Sequence, residues 1–165
     1  MIWLTKCRVC ESGDIHPFFD LGRQPLANSL LTHPDDPEDS YPLALAWCRV
    51  CNLIQLDYTV DPKKLFSEYV WVTGTSETAR RFANQFYNEL IRRAVSSRAG
   101  YVLEIASNDG TFLKPFLENN HVVLGIDPAR NITDMAIANG VPTERLFWSV
   151  ATAERVRKER GAARI

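Results

Sequence analysis

Several protein classes are excluded by what this chain lacks. In its 165 residues no apolar run approaches the ~18 that a membrane span needs. The opening residues, MIWLTKCRVC, hold no apolar core of a secretory leader. Net charge is −1, so no cationic excess points to nucleic acid. Glycines number only 8, and no G-x-G-x-x-G run occurs. That absence argues against ordinary dinucleotide binding. Histidines number 3, and His16, His33 and His121 show no ligand spacing. What remains is globular composition, 45% hydrophobic and 24% charged, enough for one ordinary domain or two small ones. A cytoplasmic, reducing setting is expected, where paired cysteines are more often metal ligands or redox groups than disulfides.

The four cysteines form two matched pairs, Cys7-Arg-Val-Cys10 and Cys48-Arg-Val-Cys51. Each C-x2-C loop puts two thiolates on one side of a turn. Two such knuckles complete a tetrahedral Zn2+ site of four sulfurs. With all positions filled, the metal is structural. The alternative is four unrelated buried or redox cysteines. Between the pairs, FFDLGRQPLANSLL reads as a short strand and turn, and THPDDPEDSYP as an exposed loop. From Leu53 to Tyr58 the pattern alternates, as in a half-buried strand. Residues 1–60 thus make a small zinc-binding domain, too thin in core to fold without metal.

Residues 61–98 are a linker and a long helix. Tyr69 and Trp71 share a face if the linker is extended, and Thr73-Gly74-Thr75 makes a flexible turn. The segment is either a lid near a ligand or a linker whose aromatics pack on the next domain. From Ser76 to Ser97, Ala79, Phe82, Ala83, Phe86, Leu90, Ala94 and Val95 give one apolar stripe, with Ser76 as N-cap. Arg80, Arg81, Arg92 and Arg93 form its solvated face.

Residues 99–165 centre on VLEIASNDGTFL. A buried strand, Tyr101 to Ala106, enters a tight turn holding Asn108, Asp109 and Gly110, and a helix opens at Thr111. This is the half-unit that nucleotide cofactors use. A second strand, Val122 to Ile126, ends in Asp127. An acid there can hold a ribose; Asp127-Pro128 equally reads as an N-cap with proline at the first helical position. Fingerprint glycines would be needed where Ala106 and Asn108 stand. Instead Glu104 and Asp109 flank the bend, and carboxylates suit a cationic ligand such as S-adenosyl-L-methionine (SAM). The bland alternative is a crossover with no ligand. A helix to Asn139 stopped by Gly140, a third strand at Arg145–Trp148, and a helix from Ser149 to Arg160 complete the pattern.

With LGRQPLAN, EYVWVTGTSE, VLEIASNDGTFLKPF and GIDPARNI beside the knuckles, the chain resembles class I SAM-dependent methyltransferases with an N-terminal zinc-binding domain. They include C-methyltransferases of nucleotide-linked keto-deoxysugars. The resemblance implies an α/β fold: a small zinc-binding domain, a helix, and a partial Rossmann-like sheet truncated after about three strands. It implies that Glu104, Ala106, Ser107, Asn108, Asp109 and Gly110 wrap the methionyl part of SAM. Asp127 would hold the ribose, with Pro128 near the adenine, and Cys7, Cys10, Cys48 and Cys51 would bind zinc. Tyr69 would be the catalytic tyrosine before the first long helix; Trp71 stands where relatives often have a second one. The substrate would be a small molecule such as a nucleotide sugar, with neither nucleic acid nor membrane as partner.

Complete relatives run on for more than twice this length. The resemblance therefore implies a fragment without the acid-base residues, with weak or absent cofactor binding and no turnover. Its first strand would lie at a sheet edge open to a partner chain. Two other readings stay open: a non-catalytic zinc-stabilised interaction module, and an NAD-binding half-Rossmann fold.

Overall fold

The computed structural model describes residues 2–94 and 100–165. It divides into two compact units, Met1–Leu65 and Phe66–Ile165, with the division inside a short helix, α1 (Pro62–Phe66). No helix among the described residues is long and apolar enough to cross a membrane.

In the first unit, β2 (Ile15–Pro25), β3 (Ser40–Cys48) and β4 (Ile54–Leu56) form an antiparallel sheet in the order β2-β3-β4. A ribbon of β1 (Ile2–Trp3) and β5 (Tyr58–Thr59) completes it. The middle strand, β3, begins inside the stretch that reads as an exposed loop. Its run Leu43-Ala-Leu-Ala-Trp is apolar at every position, so period-2 patterning does not reveal it. The faces differ by size instead: Ala44, Ala46 and Cys48 are buried, while Leu43 and Trp47 are exposed. Strand β2 is longer than the sequence suggests and is interrupted near Pro17 and again before Arg23. Pro17 has no N–H for the ladder, and Gly22, at φ +70°, donates its N–H to the Asp20 carboxylate at 2.7 Å.

The second unit holds a parallel sheet, β6 (Tyr101–Ile105), β7 (Val122–Asp127) and β8 (Thr143–Arg145), in the order β6-β7-β8. Its middle strand, β7, is buried on both faces after Val122, as helix-covered parallel strands are. Val102 and Val123 pack with Leu113, Phe116, Ala136 and Val141; Tyr101, Leu124 and Ile126 pack with Val156 on the other side. The helices are α2 (Glu77–Ala94), α3 (Lys114–Glu118), α4 (Arg130–Ala138) and α5 (Val150–Arg160).

Several boundaries differ from the sequence pattern. Helix α3 opens at Lys114 rather than Thr111, because Gly110–Leu113 is a tight turn and Pro115 has no N–H to bond back. Helix α4 opens at Arg130, two residues past Pro128, so Asp127 is not its N-cap; Ala129 holds that position without a side-chain bond. The third strand lies at Thr143–Arg145, before the Arg145–Trp148 position read from sequence. Ser149 does cap α5, accepting the Thr152 N–H at 3.1 Å, and Ser76 accepts the Ala79 N–H at 3.2 Å. Along α2 the buried stripe is Ala83 with Tyr87, Leu90 and Ile91. Phe82 and Phe86 turn aside and stack edge-on against Phe112, both at 5.9 Å. Val95 and the expected end of that helix at Ser97 lie outside the described residues.

Strand β6 is at the sheet edge by strand order. Beside it, the Arg164 N–H bonds to the Tyr101 carbonyl at 2.9 Å, and the Leu103 N–H to the Ile165 carbonyl at 2.8 Å.

Candidate functional site

The two C-x2-C loops fold into the same knuckle twice. Cys7 N–H bonds to Ser12 O at 2.8 Å and Glu11 N–H to Cys7 O at 3.0 Å; Cys48 N–H bonds to Leu53 O and Asn52 N–H to Cys48 O, both at 2.9 Å. Each knuckle leaves its second cysteine through a left-handed residue, Glu11 at φ 58° and Asn52 at φ 61°. The shared Arg-Val gap works reciprocally. Arg8 N–H reaches Gln55 Oε1 past the second knuckle, and Arg49 N–H reaches Asp14 O past the first, both at 3.1 Å.

This pairing brings the four thiols together. All four sulfurs lie within 4.8 Å of one another, with Cys7–Cys51 at 3.6 Å and Cys10–Cys48 at 3.5 Å. A tetrahedron of Zn–S bonds near ~2.3 Å spaces its sulfurs by about 3.8 Å, whereas a disulfide would need ~2.0 Å. The donor set therefore fits zinc. Backbone N–H groups of Cys10 and Val9 pull the Cys7 thiol down to about 6. The Ser12 N–H also favours ionised Cys10, but desolvation and the neighbouring thiols outweigh it and push Cys10 up to about 12. Four thiolates this close repel one another; a dication removes that conflict.

In the second unit the bend after β6 takes a backbone its sequence disguises. Ala106 (φ 59°), Asn108 (φ 51°) and Gly110 (φ 79°) are all left-handed. The conformation favours glycine, and two of the three positions do without it. Strain of this kind collects at ligand sites.

The acid at the end of β7 supports the bend. Asp127 is buried; its Oδ2 accepts the Asn108 N–H at 3.0 Å and its Oδ1 the Ala129 N–H at 2.9 Å. Asp109 is also buried, accepting from Thr111 Oγ1 at 2.8 Å and from the Gly74 N–H at 3.0 Å. The segment before α2 is therefore anchored and not the flexible turn its composition suggests. A 3-10 turn, Thr73–Thr75, lies on the bend, and a Cβ at Gly74 would meet Asp109 Oδ2 at 2.4 Å.

Beside the bend is a hollow of about 330 Å3, lined by Phe66, Tyr69, Ile105, Ala106, Asn108, Ile126, Asp127, Pro128, Ala129, Leu146, Phe147 and Trp148. It unites Tyr69, Ala106, Asn108, Asp127 and Pro128 of the residues read from sequence. Asp109 and Gly110 instead line a second hollow of about 320 Å3 with Arg80, Lys114 and Gly74. Glu104 lines a third, apolar one with Phe86, Phe112 and Ile165. Ser107 is buried with Oγ unpartnered, as is Glu104 Oε2. The aromatic wall from Phe66, Phe147 and Trp148 was not legible in the sequence, where Phe147 and Trp148 read as strand.

Burial pushes the Glu104 carboxyl up to about 8, and the charges of Asp109 and Asp127 add to the shift. Glu104 therefore keeps its proton at neutral pH beside the carboxylates of Asp109 and Asp127. The raised value has a stability consequence. From its ordinary value near 4.5 up to about 8, the folded unit holds a proton that the unfolded chain has lost. Stability falls as pH rises through that window, by about 1.4 kcal/mol at most for each pH unit. Glu104→Gln should flatten this slope. Thermal melts of the second unit at pH 5 and pH 9 check it; an unchanged difference between wild type and variant would refute the assignment.

Comparison with known proteins places both features in one setting. Residues 7–66 match the family model of a methyltransferase zinc binding domain. Over 164 residues, 98% of the chain, the sequence is 30% identical to C-methyltransferase NovU of Streptomyces niveus. The chain is similar to a methyltransferase. It spans 39% of the length of that relative. The similarity therefore runs through the knuckles, the strap before α2 and the β6–β7 bend together.

Proposed function

We propose that the chain carries the zinc-stabilised lobe and the SAM-binding part of a methyltransferase acting on a small molecule, with a nucleotide-linked keto-deoxysugar as the acceptor class. The carrying observation is one hollow that joins Asp127 and the left-handed bend to an aromatic wall. Asp127 has lone pairs beyond its two backbone bonds, and these suit ribose hydroxyls. Phe147, Trp148 and Pro128 offer flat apolar surface to a purine. The carboxylates of Asp109 and Asp127 favour a cation over a pyrophosphate. When bound, the cofactor supplies an electrophilic methyl on a sulfonium. Tyr69 lines the same hollow and is the candidate catalytic side chain.

No histidine among the described residues lines this hollow, so the base that deprotonates the acceptor is not evident among them. We infer that this chain by itself binds SAM weakly and does not turn over. Calorimetry decides the cofactor. SAM should give a saturable heat at millimolar ligand and NAD none, and Asp127→Ala should weaken SAM at least about tenfold. Preference for NAD, or no SAM heat in wild type, overturns the reading.

A second reading rests on the end of the β6 edge beyond the bonds that Arg164 and Ile165 make to Tyr101 and Leu103, where Ile105 is 48% exposed. There the chain would act as an interaction module that pairs with a partner strand. Sedimentation of the zinc-loaded chain as a plain monomer at high concentration would count against self-pairing through this edge.

A further inference from the structure

Along the strap from Ser67 to Gly74, two side-chain amides bond the backbone of its central residues, beside the Asp109 carboxylate at Gly74. Asn131, in the first turn of α4, uses both ends of its amide on one residue. Its Oδ1 accepts the Tyr69 N–H at 3.0 Å, and its Nδ2 donates to the Tyr69 carbonyl at 2.7 Å. Asn108 bridges two residues further along: its Oδ1 accepts the Thr73 N–H at 2.9 Å, and its Nδ2 donates to the Trp71 carbonyl at 3.0 Å. Exchange of both backbone groups with one neighbour is what a β-strand partner would provide. Here Asn131 stands in for that strand. The Ser67 carbonyl adds a cap, accepting the Arg130 N–H at 2.8 Å. It thereby satisfies an orphan donor of α4, which has no side-chain cap of its own.

We propose that Asn131 is a positioning residue: by gripping the Tyr69 backbone it holds the strap in place as a wall of the aromatic hollow. Tyr69 reaches the hollow only from this strap. An extended segment with few backbone ladder bonds opens readily once its clamps are lost. An aliphatic or shorter side chain at 131 removes both of these bonds to the Tyr69 backbone. The anchoring itself does not depend on the identity of the cofactor; only the ligand arm of the test rests on the SAM reading.

Chymotrypsin cleaves after Tyr and Trp, so Tyr69 and Trp71 report opening of the strap. With the full zinc-loaded chain, Asn131→Ala should raise the rate of cleavage at these two sites about tenfold or more while the second unit still melts cooperatively. Asn131→Asp keeps the acceptor and loses the donor, and should shift the rate the same way by less. Glu68→Gln, which removes only an exposed ion pair with Arg130, should leave it within about twofold. S-adenosylhomocysteine should slow cleavage in wild type and protect the variants less. A rate within about twofold of wild type for folded Asn131→Ala overturns the proposal; if that variant does not fold, the Asn131→Asp rate decides by the same criterion. If the variants open the strap but the ligand protects nothing in wild type, the anchoring stands and the SAM reading falls.

Discussion

Stripping the metal should unfold Met1–Leu65 and leave Phe66–Ile165 folded. The first unit buries very little apolar surface. Among the described residues its buried apolar side chains are Cys7, Tyr41, Ala44, Ala46 and Cys48, and two of these are metal ligands. Trp3, Phe18, Phe19, Leu21, Trp47 and Ile54 all stay exposed. Ordering each residue costs about 1–2 kcal/mol of backbone entropy, which two alanines and a tyrosine cannot offset. Structural zinc contributes about 10–16 kcal/mol in finger peptides at neutral pH, enough to reverse the balance. The knuckle bonds bring the thiols together only while the β2-β3-β4 sheet exists, so metal and sheet depend on each other. Elemental analysis should find one zinc per chain. A chelator in excess, or Cys48→Ser, should remove it and abolish amide protection across β2–β4, while protection in β6 and β7 persists. Intact protection in β2–β4 after complete metal loss would refute a structural role.

How far this architecture shows in the sequence depends on the kind of signal. The metal centre is legible because C-x2-C spacing is local, and the repeat of Arg-Val marks two copies of one turn. Glycine and serine signals also mark real stops and starts: Gly140 at φ +79°, and Ser149 bonded to Thr152. Strand β3 is not legible, since Leu43–Trp47 is apolar throughout and only side-chain size separates its faces. The bend after β6 is half legible. Its acids are visible, but the left-handed backbone at Ala106 and Asn108 is imposed by tertiary bonds, the Asp127 carboxylate and the strap, that no local pattern encodes. Asn131 is invisible for the same reason. In GIDPARNI it is one more polar helix residue, and its role exists only because Tyr69, 62 positions earlier, folds against it. Chemistry carried by neighbours in sequence can be read; chemistry carried by a long-range amide cannot.

Gly110→Ala should cost the second unit several kcal/mol, and Gly140→Ala much less. The two glycines share φ +79°, so the left-handed penalty is common to both. For an alanine that penalty is about 1–2 kcal/mol. They differ in surroundings. A Cβ at Gly140 meets nothing within 4 Å, whereas one at Gly110 meets three Val141 side-chain carbons at 2.8–2.9 Å. Val141 is 1% exposed and packs with Leu113, Phe116 and Ala136, so it has nowhere to move. Overpacking of such a site adds about 1–3 kcal/mol. A domain near 100 residues loses about 4–8 °C per kcal/mol. Gly140→Ala should then lower the melting temperature of the second unit by under about 15 °C, and Gly110→Ala by clearly more, approaching complete unfolding at the low end of domain stabilities. Restoring space settles the cause. Val141→Ala alone should destabilise by opening a cavity, yet combined with Gly110→Ala it should recover part of the loss. Simple additivity of the two changes would show that the glycine is required for its backbone angle alone, and that the close approach of the bend to Val141 is incidental.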